Sequence, residues 1–402
     1  MITLENVTKI FESPSGAITA VDHVSFEVPE GEICILLGPS GCGKTTTMKM
    51  VNRLIEKTGG KIFVDGKDID DYDPVTLRRT MGYVIQQIGL FPNMTVEENI
   101  MVVPRLVGTP DAKARKRAAE LLGMVALDPG IFLKRFPREL SGGQQQRVGV
   151  ARALAADPPV LIMDEPFGAI DPINRETIQD EFLKMQANLK KTIMFVSHDI
   201  DEAVKMGDRI AIFREGRLEQ YDRPDTVLAH PTNSFVREFV GGDRTLKRLR
   251  LVRVGDAMHP GAPYVFPEDR IGDAVARMHE YGHRSIVVLN REDMTPTGLI
   301  RLAEVEEARG SCGEHAMRLP GRVHVDADLR RAVSEMFTQD TTWLACVDSD
   351  GRFKGHITQR AITHLLGETY RHPNEGVVPD TRRQRGEAVL EPETGPIPGA
   401  PA

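Results

Sequence analysis

The sequence has no long hydrophobic run and few cysteines, and each absence excludes a class of protein. No apolar stretch approaches about 18 residues, the length of a candidate membrane-spanning helix, so no transmembrane segment is expected. The first residues, MITLENVTKIF, lack the basic region and apolar core of a secretory signal, so none is expected there. The 4 cysteines form no CxxC pair, which argues against a disulfide framework or a zinc site and favours a reducing compartment.

An excess of positive charge is also missing. Lysine and arginine number 51 against 58 acidic residues, and the formal net charge of −7 argues against a nucleic-acid partner. The content of 41% hydrophobic and 27% charged residues is that of an ordinary globular protein. A chain of 402 residues is too long for one compact core, so two or three domains are expected.

Residues 1–240 alternate short apolar runs with helical stretches. Three of these runs, EICILLG, PVLIMDE and KTIMFVSH, end in polar residues. This pattern predicts strands that are buried on both faces of a parallel sheet, with functional groups at their carboxyl ends. Two further segments, GKIFVDGKDI and RIAIFREGRLEQ, carry hairpin signals. We therefore predict a mixed α/β core with an added antiparallel sheet.

The character of the chain changes after residue 240. Residues 241–254, GGDRTLKRLRLVRV, form a candidate basic linker, either a patch that faces anionic lipid or a solvated surface. An internal repeat follows, in which DAVARMHEYGHRSIVVLN matches RAVSEMFTQDTTWLACVD. We place its two copies at 255–311 and 312–372, each with the order helix, strand, strand, helix. Residues 373–402 are rich in proline, glycine and glutamate and are predicted to be disordered.

The segment GPSGCGKTT, residues 38–46, fits the phosphate-binding pattern G-x-x-x-x-G-K-[ST] between a predicted strand and a predicted helix. Its glycines let backbone N–H groups surround a phosphate, Lys44 can reach the β- and γ-phosphates, and the Thr45 hydroxyl can bind Mg²⁺. We therefore expect ATP and Mg²⁺ as ligands. The candidate contacts in this loop are Gly38, Pro39, Ser40, Gly41, Cys42, Gly43, Lys44, Thr45 and Thr46.

Polar residues at three other strand ends extend this site. In LIMDEP, Asp164 is a candidate Mg²⁺ ligand and Glu165 a candidate general base for the attacking water. In FVSHD, His198 can contact the γ-phosphate and orient that water, although a lone histidine is more often structural. In YVIQQIG, Gln86 can reach both the metal and the water, and its neighbour Gln87 is an alternative.

Together, GPSGCGKTT, LSGGQQQRV, LIMDEPFGAID and VSHD resemble the ATP-binding subunit of ABC transporters over residues 2–240. The resemblance implies a catalytic set of Lys44, Gln86, Glu165 and His198. It further implies an adenine-stacking role for Phe11 and a place for Asp171 at a dimer interface. The signature residues Ser141, Gly142, Gly143 and Gln144 would contact an ATP whose phosphates are held by a second copy of the chain. We expect Gln145 and Gln146 to be helix-surface residues.

The segments MGYVIQQIGLFPNMTVEENI and GGDRTLKRL resemble, more narrowly, the ATPase subunits of osmoprotectant importers, which take up glycine betaine, proline betaine, choline or carnitine. This resemblance implies that the repeat is a pair of CBS domains, that the partners are permease subunits and an extracytoplasmic binding protein, and that the chain lies peripherally on the cytoplasmic face of the plasma membrane. Importers of other solutes remain an alternative.

The repeat departs from the nucleotide-binding CBS pattern, with Arg301 and Glu304 in one copy and Thr358 and Ala361 in the other. The resemblance implies osmotic regulation of transport by this repeat, through ionic strength, lipid or a cyclic dinucleotide. A packing or dimerisation role is the alternative.

Overall fold

The computed structural model describes residues 1–14, 16–85, 89–168 and 170–368. The chain divides into two compact units, Met1–Lys247 and Arg248–Ala402, and the second is described as far as residue 368. The candidate ligand Gln86, its neighbour Gln87 and the tail 373–402 lie outside the described residues. No helix of the described ranges is long and apolar enough to cross a bilayer.

The first unit contains two sheets and a set of helices. Its strands are β1 (Ile2–Ser13), β2 (Gly16–Val28), β3 (Ile33–Leu37), β4 (Gly59–Val64), β5 (Lys67–Asp68), β6 (Met81–Val84), β7 (Val160–Asp164), β8 (Thr192–Val196), β9 (Arg209–Arg214) and β10 (Arg217–Asp222). Its helices are α1 (Lys44–Val51), α2 (Pro74–Arg79), α3 (Val96–Leu106), α4 (Asp111–Met124), α5 (Pro129–Phe132), α6 (Gly142–Leu154), α7 (Pro172–Leu189), α8 (Ile200–Met206), α9 (Pro224–Ala229), α10 (Ser234–Val240) and α11 (Arg244–Arg248).

The central sheet has the order β10-β9-β3-β8-β7-β6. All of its pairings are parallel except that of β10 with β9. Every residue of β3, β7 and β8 is buried, as expected for strands covered on both faces. The predicted mixed α/β core is confirmed, because the three apolar runs identified in the sequence are these three strands.

A second, antiparallel sheet has the order β2-β1-β4-β5. Its β4–β5 turn places Asp65 at φ 50° and Gly66 at φ 77°, the two positive angles of a type I′ turn. Glu215 and Gly216 adopt φ 49° and 84° between β9 and β10 in the central sheet. Both hairpins predicted from the sequence are therefore present, and the antiparallel sheet is confirmed.

A helical layer is formed by α3, α4 and α6, which contact one another. Thr95 begins α3 with a capping box in which its hydroxyl accepts from the Glu98 N–H and the Glu98 carboxylate accepts from the Thr95 N–H. One face of α4 buries Ala114, Ala118 and Leu121. This layer holds α6, the helix that follows the second glycine turn.

The second unit contains the two copies of the repeat. Its strands are β11 (His259–Pro260), β12 (Tyr264–Val265), β13 (Ser285–Leu289), β14 (Pro296–Arg301), β15 (Met317–Arg318), β16 (Arg322–His324), β17 (Trp343–Val347) and β18 (Phe353–Thr358). Its helices are α12 (Val254–Ala257), α13 (Ile271–Glu280), α14 (Leu302–Val305), α15 (Cys312–His315), α16 (Leu329–Thr338) and α17 (Gln359–Glu368). The predicted order of helix, strand, strand, helix is present in both copies.

The two sheets of this unit exchange strands. Their orders are β12-β13-β14-β15 and β11-β18-β17-β16. The short strand β11 lies in the first copy but pairs with β18 of the second, whereas β15 lies in the second copy but pairs with β14 of the first. A division of the chain between residues 311 and 312 therefore does not coincide with the boundary between the sheets.

The copies also share a small apolar core. Val287, Leu289 and Leu299 of the first copy pack with Trp343 and Phe353 of the second. Burial of these side chains removes apolar surface from water and holds the copies together.

Two residues of the candidate linker do not face solvent. Lys247 is buried and forms an ion pair with Asp243, and Arg248 is only 3% exposed. Neither a lipid-facing patch nor a solvated surface describes these two side chains, because both alternatives require accessible charges. A run of charged residues in the sequence does not reveal which of those residues are buried by a neighbouring helix or strand.

A buried histidine makes the second unit sensitive to acid. The His356 ring stacks on Trp343 at a centroid distance of 5.7 Å and contacts His259 and His283. Burial, together with the two neighbouring histidines, lowers the pKa of His356 from 6.5 to about 4. Because the pKa of His356 is lower in the folded protein than in the unfolded chain, the unfolded chain binds the proton more readily. A falling pH therefore favours unfolding. The stabilising contribution of His356 is complete above about pH 6.5 and is lost as the pH falls towards 4.

We expect the second unit to lose about 3 kcal/mol of unfolding free energy between pH 6.5 and pH 4 through His356. Trp343 is the only tryptophan, so its fluorescence during denaturation of the full chain reports on this unit. His356→Gln should flatten this pH dependence, and His279→Gln, at an exposed position on α13, should leave it unchanged. An equal slope in the His356 variant and the wild type would contradict the assignment.

Candidate nucleotide-binding and catalytic site

The phosphate-binding loop lies between β3 and α1, and its shape requires glycine at two positions. Gly38 has φ 143°, and a Cβ there would lie 2.3 Å from the Phe213 carbonyl oxygen. Gly43 has φ 102°, and a Cβ there would lie 2.4 Å from the Ala20 carbonyl oxygen. Among the described residues, no side chain caps the start of α1, so its first N–H groups can donate to a phosphate.

Lys44 lies against this loop with its side chain largely enclosed. The residue is 8% exposed, and its Nζ donates to the carbonyl oxygens of Gly38 at 2.7 Å and Pro39 at 2.9 Å. These acceptors are neutral, so they hold the ammonium in place without cancelling its charge. A buried cation oriented in this way fits the negative charge of a polyphosphate.

Thr45 and Asp164 meet on the other side of the loop. The Thr45 hydroxyl donates to Asp164 Oδ1 at 3.2 Å, and Asp164 is 5% exposed. Burial raises the pKa of the Asp164 carboxyl, the hydrogen bond from Thr45 lowers it, and the charge of Glu165 raises it further. A hydroxyl beside a desolvated carboxylate is a set of hard oxygen donors, so these residues fit Mg²⁺.

Glu165 and His198 extend from adjacent strands. Asp164, the last residue of β7, pairs with Val196, the last residue of β8, so the residues that follow both strands lie at one edge of the sheet. Glu165 Oε1 lies 3.7 Å from His198 Nδ1. The backbone of Glu165 is left-handed, at φ 48°, and its N–H donates to the Val196 carbonyl oxygen at 3.1 Å. An uncommon backbone angle at this strand end directs the carboxylate towards the histidine.

The second glycine turn begins α6 with a capping box. Ser141 Oγ accepts from the Gln144 N–H at 3.3 Å, and Gln144 Oε1 accepts from the Ser141 N–H at 3.0 Å. Ser141 and Gly142 are exposed. The turn is thus preformed, and its outer side is accessible to a ligand.

The expectation that Gln146 lies on the helix surface is wrong. It is 5% exposed, because positions 146, 150 and 153 share the inner face of α6. The spacing of four and three residues between these positions could have indicated burial from the sequence, but the polar side chain at position 146 argued against it. Gln145 is partly buried and donates through Nε2 to the carbonyl oxygens of Pro137 and Leu140.

Two other candidate residues lie away from this cluster of contacts. Phe11 on β1 is 39% exposed, and Lys9 Nζ lies 4.8 Å from its ring centroid. An accessible aromatic ring of this kind can stack on a nucleobase. Asp171 is exposed and directly precedes α7, where its carbonyl oxygen accepts from the Arg175 N–H at 2.9 Å.

The chain has a phosphate loop after β3, carboxylates at the end of β7, a histidine after β8 and a glycine turn on a helical layer. This combination defines an ATP-binding cassette ATPase. Comparison with known proteins shows which family of ATPases the chain resembles. Residues 21–168 match the ABC transporter family model, and residues 254–310 match the CBS domain model. The chain is 54% identical over 380 residues to the osmoprotectant import ATP-binding protein OsmV of Salmonella typhimurium, covering 93% of this chain and 99% of the relative.

A second relative is the glycine betaine/carnitine/choline transport ATP-binding protein OpuCA of Bacillus subtilis, 42% identical over 91% of this chain and 96% of the relative. Among solved structures, the ATP-binding cassette MJ0796 bound to ADP and Pi is 36% identical, with a TM-score of 0.51 over 56% of this chain and 99% of that chain. The chain therefore belongs to the ATP-binding proteins of the ABC transporter family, carries a CBS domain and is an ATPase. The family and fold expected from the sequence are confirmed.

We expect Gly43→Ala to weaken ATP binding at least about tenfold, which corresponds to about 1.4 kcal/mol. The new Cβ would overlap the Ala20 carbonyl oxygen, so the loop must deform and its N–H groups lose their orientation. The matched control is Gly66→Ala, where φ is 77° but the Cβ meets open space. That variant should cost about 1 kcal/mol of stability and leave ATP affinity unchanged. Titration of both purified variants with ATP tests this, and unaltered affinity in Gly43→Ala would contradict it.

Proposed function

We propose that this ATPase powers an importer of osmoprotectants of the quaternary-ammonium type, such as glycine betaine, proline betaine, choline or carnitine. The observation that carries the proposal is 54% identity to an osmoprotectant import ATP-binding protein over 99% of that protein's length. The match to a CBS domain model after the ATPase supports it. The partners proposed here are permease subunits and, through them, an extracytoplasmic binding protein. The chain then lies peripherally on the cytoplasmic face of the plasma membrane.

In the proposed mechanism, Lys44 binds the β- and γ-phosphates of ATP with the ammonium that the loop carbonyls orient. Thr45 and Asp164 hold Mg²⁺, with Gln86 as a further ligand. When bound there, Mg²⁺ neutralises charge on the phosphate oxygens. Glu165 accepts a proton from the attacking water, and His198, which its carboxylate faces, contacts the γ-phosphate.

The second glycine turn completes the site of another copy in this proposal. Ser141 and the N–H groups of Gly142 and Gly143 lie at the exposed start of α6, where they can donate to the γ-phosphate of an ATP held by the Lys44 loop of a second copy. Asp171 contributes to the same interface. Two copies then enclose two ATP molecules, and hydrolysis reopens the dimer and drives the permease. The solved MJ0796 cassettes, which are dimeric, support this arrangement.

We expect Glu165→Gln to lower the rate of ATP hydrolysis by about 100-fold or more while ATP stays bound, because the amide cannot accept the proton from water. The variant should elute as a dimer in ATP and as a monomer without it. The matched control is Glu215→Gln, since Glu215 is also a left-handed glutamate but lies in the β9–β10 turn. Phosphate release and size-exclusion chromatography measure both effects. Hydrolysis at the wild-type rate by Glu165→Gln would refute the role of Glu165.

We further propose that the second unit regulates transport. A cavity of about 710 Å³ lies between the two copies of the repeat. Three arginines, Arg284, Arg301 and Arg360, line it together with Trp343, and no carboxylate is among its described lining residues. Such a cavity attracts anions, and its electrostatic potential falls as salt screens it. This supports a response to ionic strength or to an anionic ligand such as a cyclic dinucleotide.

We expect the double substitution Arg284→Ala with Arg360→Ala to shift the ionic strength that half-activates transport by about twofold or more, because two of the three cavity charges are removed. Uptake by the complete importer in proteoliposomes at increasing salt measures the shift. The control is Arg322→Ala with Arg331→Ala, which removes two exposed arginines outside the cavity. An unchanged response in the cavity variant would favour a packing role for the second unit.

A further inference from the structure

Gln146 is a buried polar residue that the roles assigned so far do not use. Its Nε2 donates to the Glu165 carbonyl oxygen at 3.2 Å. Its Oε1 is buried and has no hydrogen-bond partner among the described residues. A buried amide that satisfies only one of its two ends is uncommon, and the satisfied end here contacts the candidate general base.

The carbonyl group that Gln146 contacts belongs to a backbone segment in an uncommon conformation. Glu165 is left-handed although it has a Cβ, a region that side-chain-bearing residues rarely adopt. Its carbonyl oxygen also accepts from the Gly168 N–H at 3.1 Å, and its own N–H donates to Val196. Two of these three hydrogen bonds join the Glu165 backbone to β8 and to the turn after β7. The third, from Gln146, comes from a different element, α6.

The same helix carries the glycine turn at its start. Gln146 follows Ser141 by five residues, which is about 7 Å along a helix. One face of α6 is packed into the core from Gln146 to Leu154, and the exposed first turn continues the same helix. The Gln146 side chain therefore links a displacement of this helix to the Glu165 backbone.

We propose that Gln146 is a positioning residue that holds Glu165 in its left-handed conformation and couples this glutamate to the glycine turn of the same chain. The proposal rests on the roles proposed above for Glu165 and for the turn. When the turn binds the nucleotide held by the second copy, Gln146 sets the carboxylate of its own chain for proton acceptance. Each of the two sites then depends on whether the other is engaged.

The neighbouring glutamine shows that this contact is specific to one position. Gln145 donates to Pro137 and Leu140, which belong to the segment just before the turn, and among the described residues it makes no hydrogen bond with those after β7. Gln145 therefore stabilises the turn itself, whereas Gln146 connects α6 to the strand that carries the carboxylates.

The test is Gln146→Met, which keeps the length and volume of the side chain but removes the donor. We expect kcat for ATP hydrolysis to fall about 10- to 100-fold, as displaced catalytic groups typically cause, while KM for ATP changes less than about twofold. Gln146→Asn, which keeps the amide but is one methylene too short, should lose kcat in the same way. Gln186→Met is the matched control, because Gln186 is also buried and also donates to backbone carbonyls, those of Gly31 and Lys191.

A double-mutant cycle separates positioning from general destabilisation. In the Glu165→Gln background, Gln146→Met should cause no further loss of hydrolysis, because Gln146 acts only through Glu165. The control Gln186→Met should lower thermal stability by a similar amount and leave kcat unchanged. Unchanged kcat in both Gln146 variants would overturn the proposal. So would an equal loss of kcat on Gln146→Met in the wild-type and Glu165→Gln backgrounds. Wild-type hydrolysis by Glu165→Gln alone would instead overturn the role of Glu165 on which it rests.

Discussion

The parallel pairing of β3, β8 and β7 is the constraint on which the candidate site depends. Hydrogen-bonded parallel strands end at one edge of a sheet, so residues far apart in the chain are brought to neighbouring positions there. Lys44 follows β3, Glu165 follows β7 and His198 follows β8. Because these strands are buried on both faces, their register is determined by close packing, and a one-residue shift of any strand would displace its own group relative to the other two.

A buried cation and a buried carboxylate lie at this edge of the sheet. Lys44 is held by neutral carbonyl groups, and Asp164 is desolvated beside a hydroxyl. Burying an ammonium and a carboxylate in this way is unfavourable, and the cost falls on the folded protein. In the proposed function, a polyphosphate with its cation would offset these charges.

The sequence predicts local structure and chemistry well. It predicts poorly which distant segments of the chain pack against each other. The three apolar runs, the hairpin at Asp65 and Gly66, and the phosphate loop are each specified by residues a few positions apart, so their physical cause can be read directly. The burial of Gln146 and of Arg248, and the exchange of β11 and β15, depend on which distant segment packs against them. No local pattern encodes the strand exchange or the burial of Arg248, and at Gln146 the polar side chain argues against the helical spacing that indicates burial. The assigned role of Gln86 remains a prediction, since the residue lies outside the described ranges.

The exchange of short strands in the second unit has a consequence for how this unit can be divided. The strands β11 and β15 occupy equivalent places in the two copies, 58 positions apart, and each completes the sheet of the other copy. A gene that encoded one copy alone would produce a sheet with an open edge, and an open edge promotes aggregation. The pair is therefore a single heritable module: recombination can add or remove it as a whole, but a breakpoint between the copies is unfavourable for both halves.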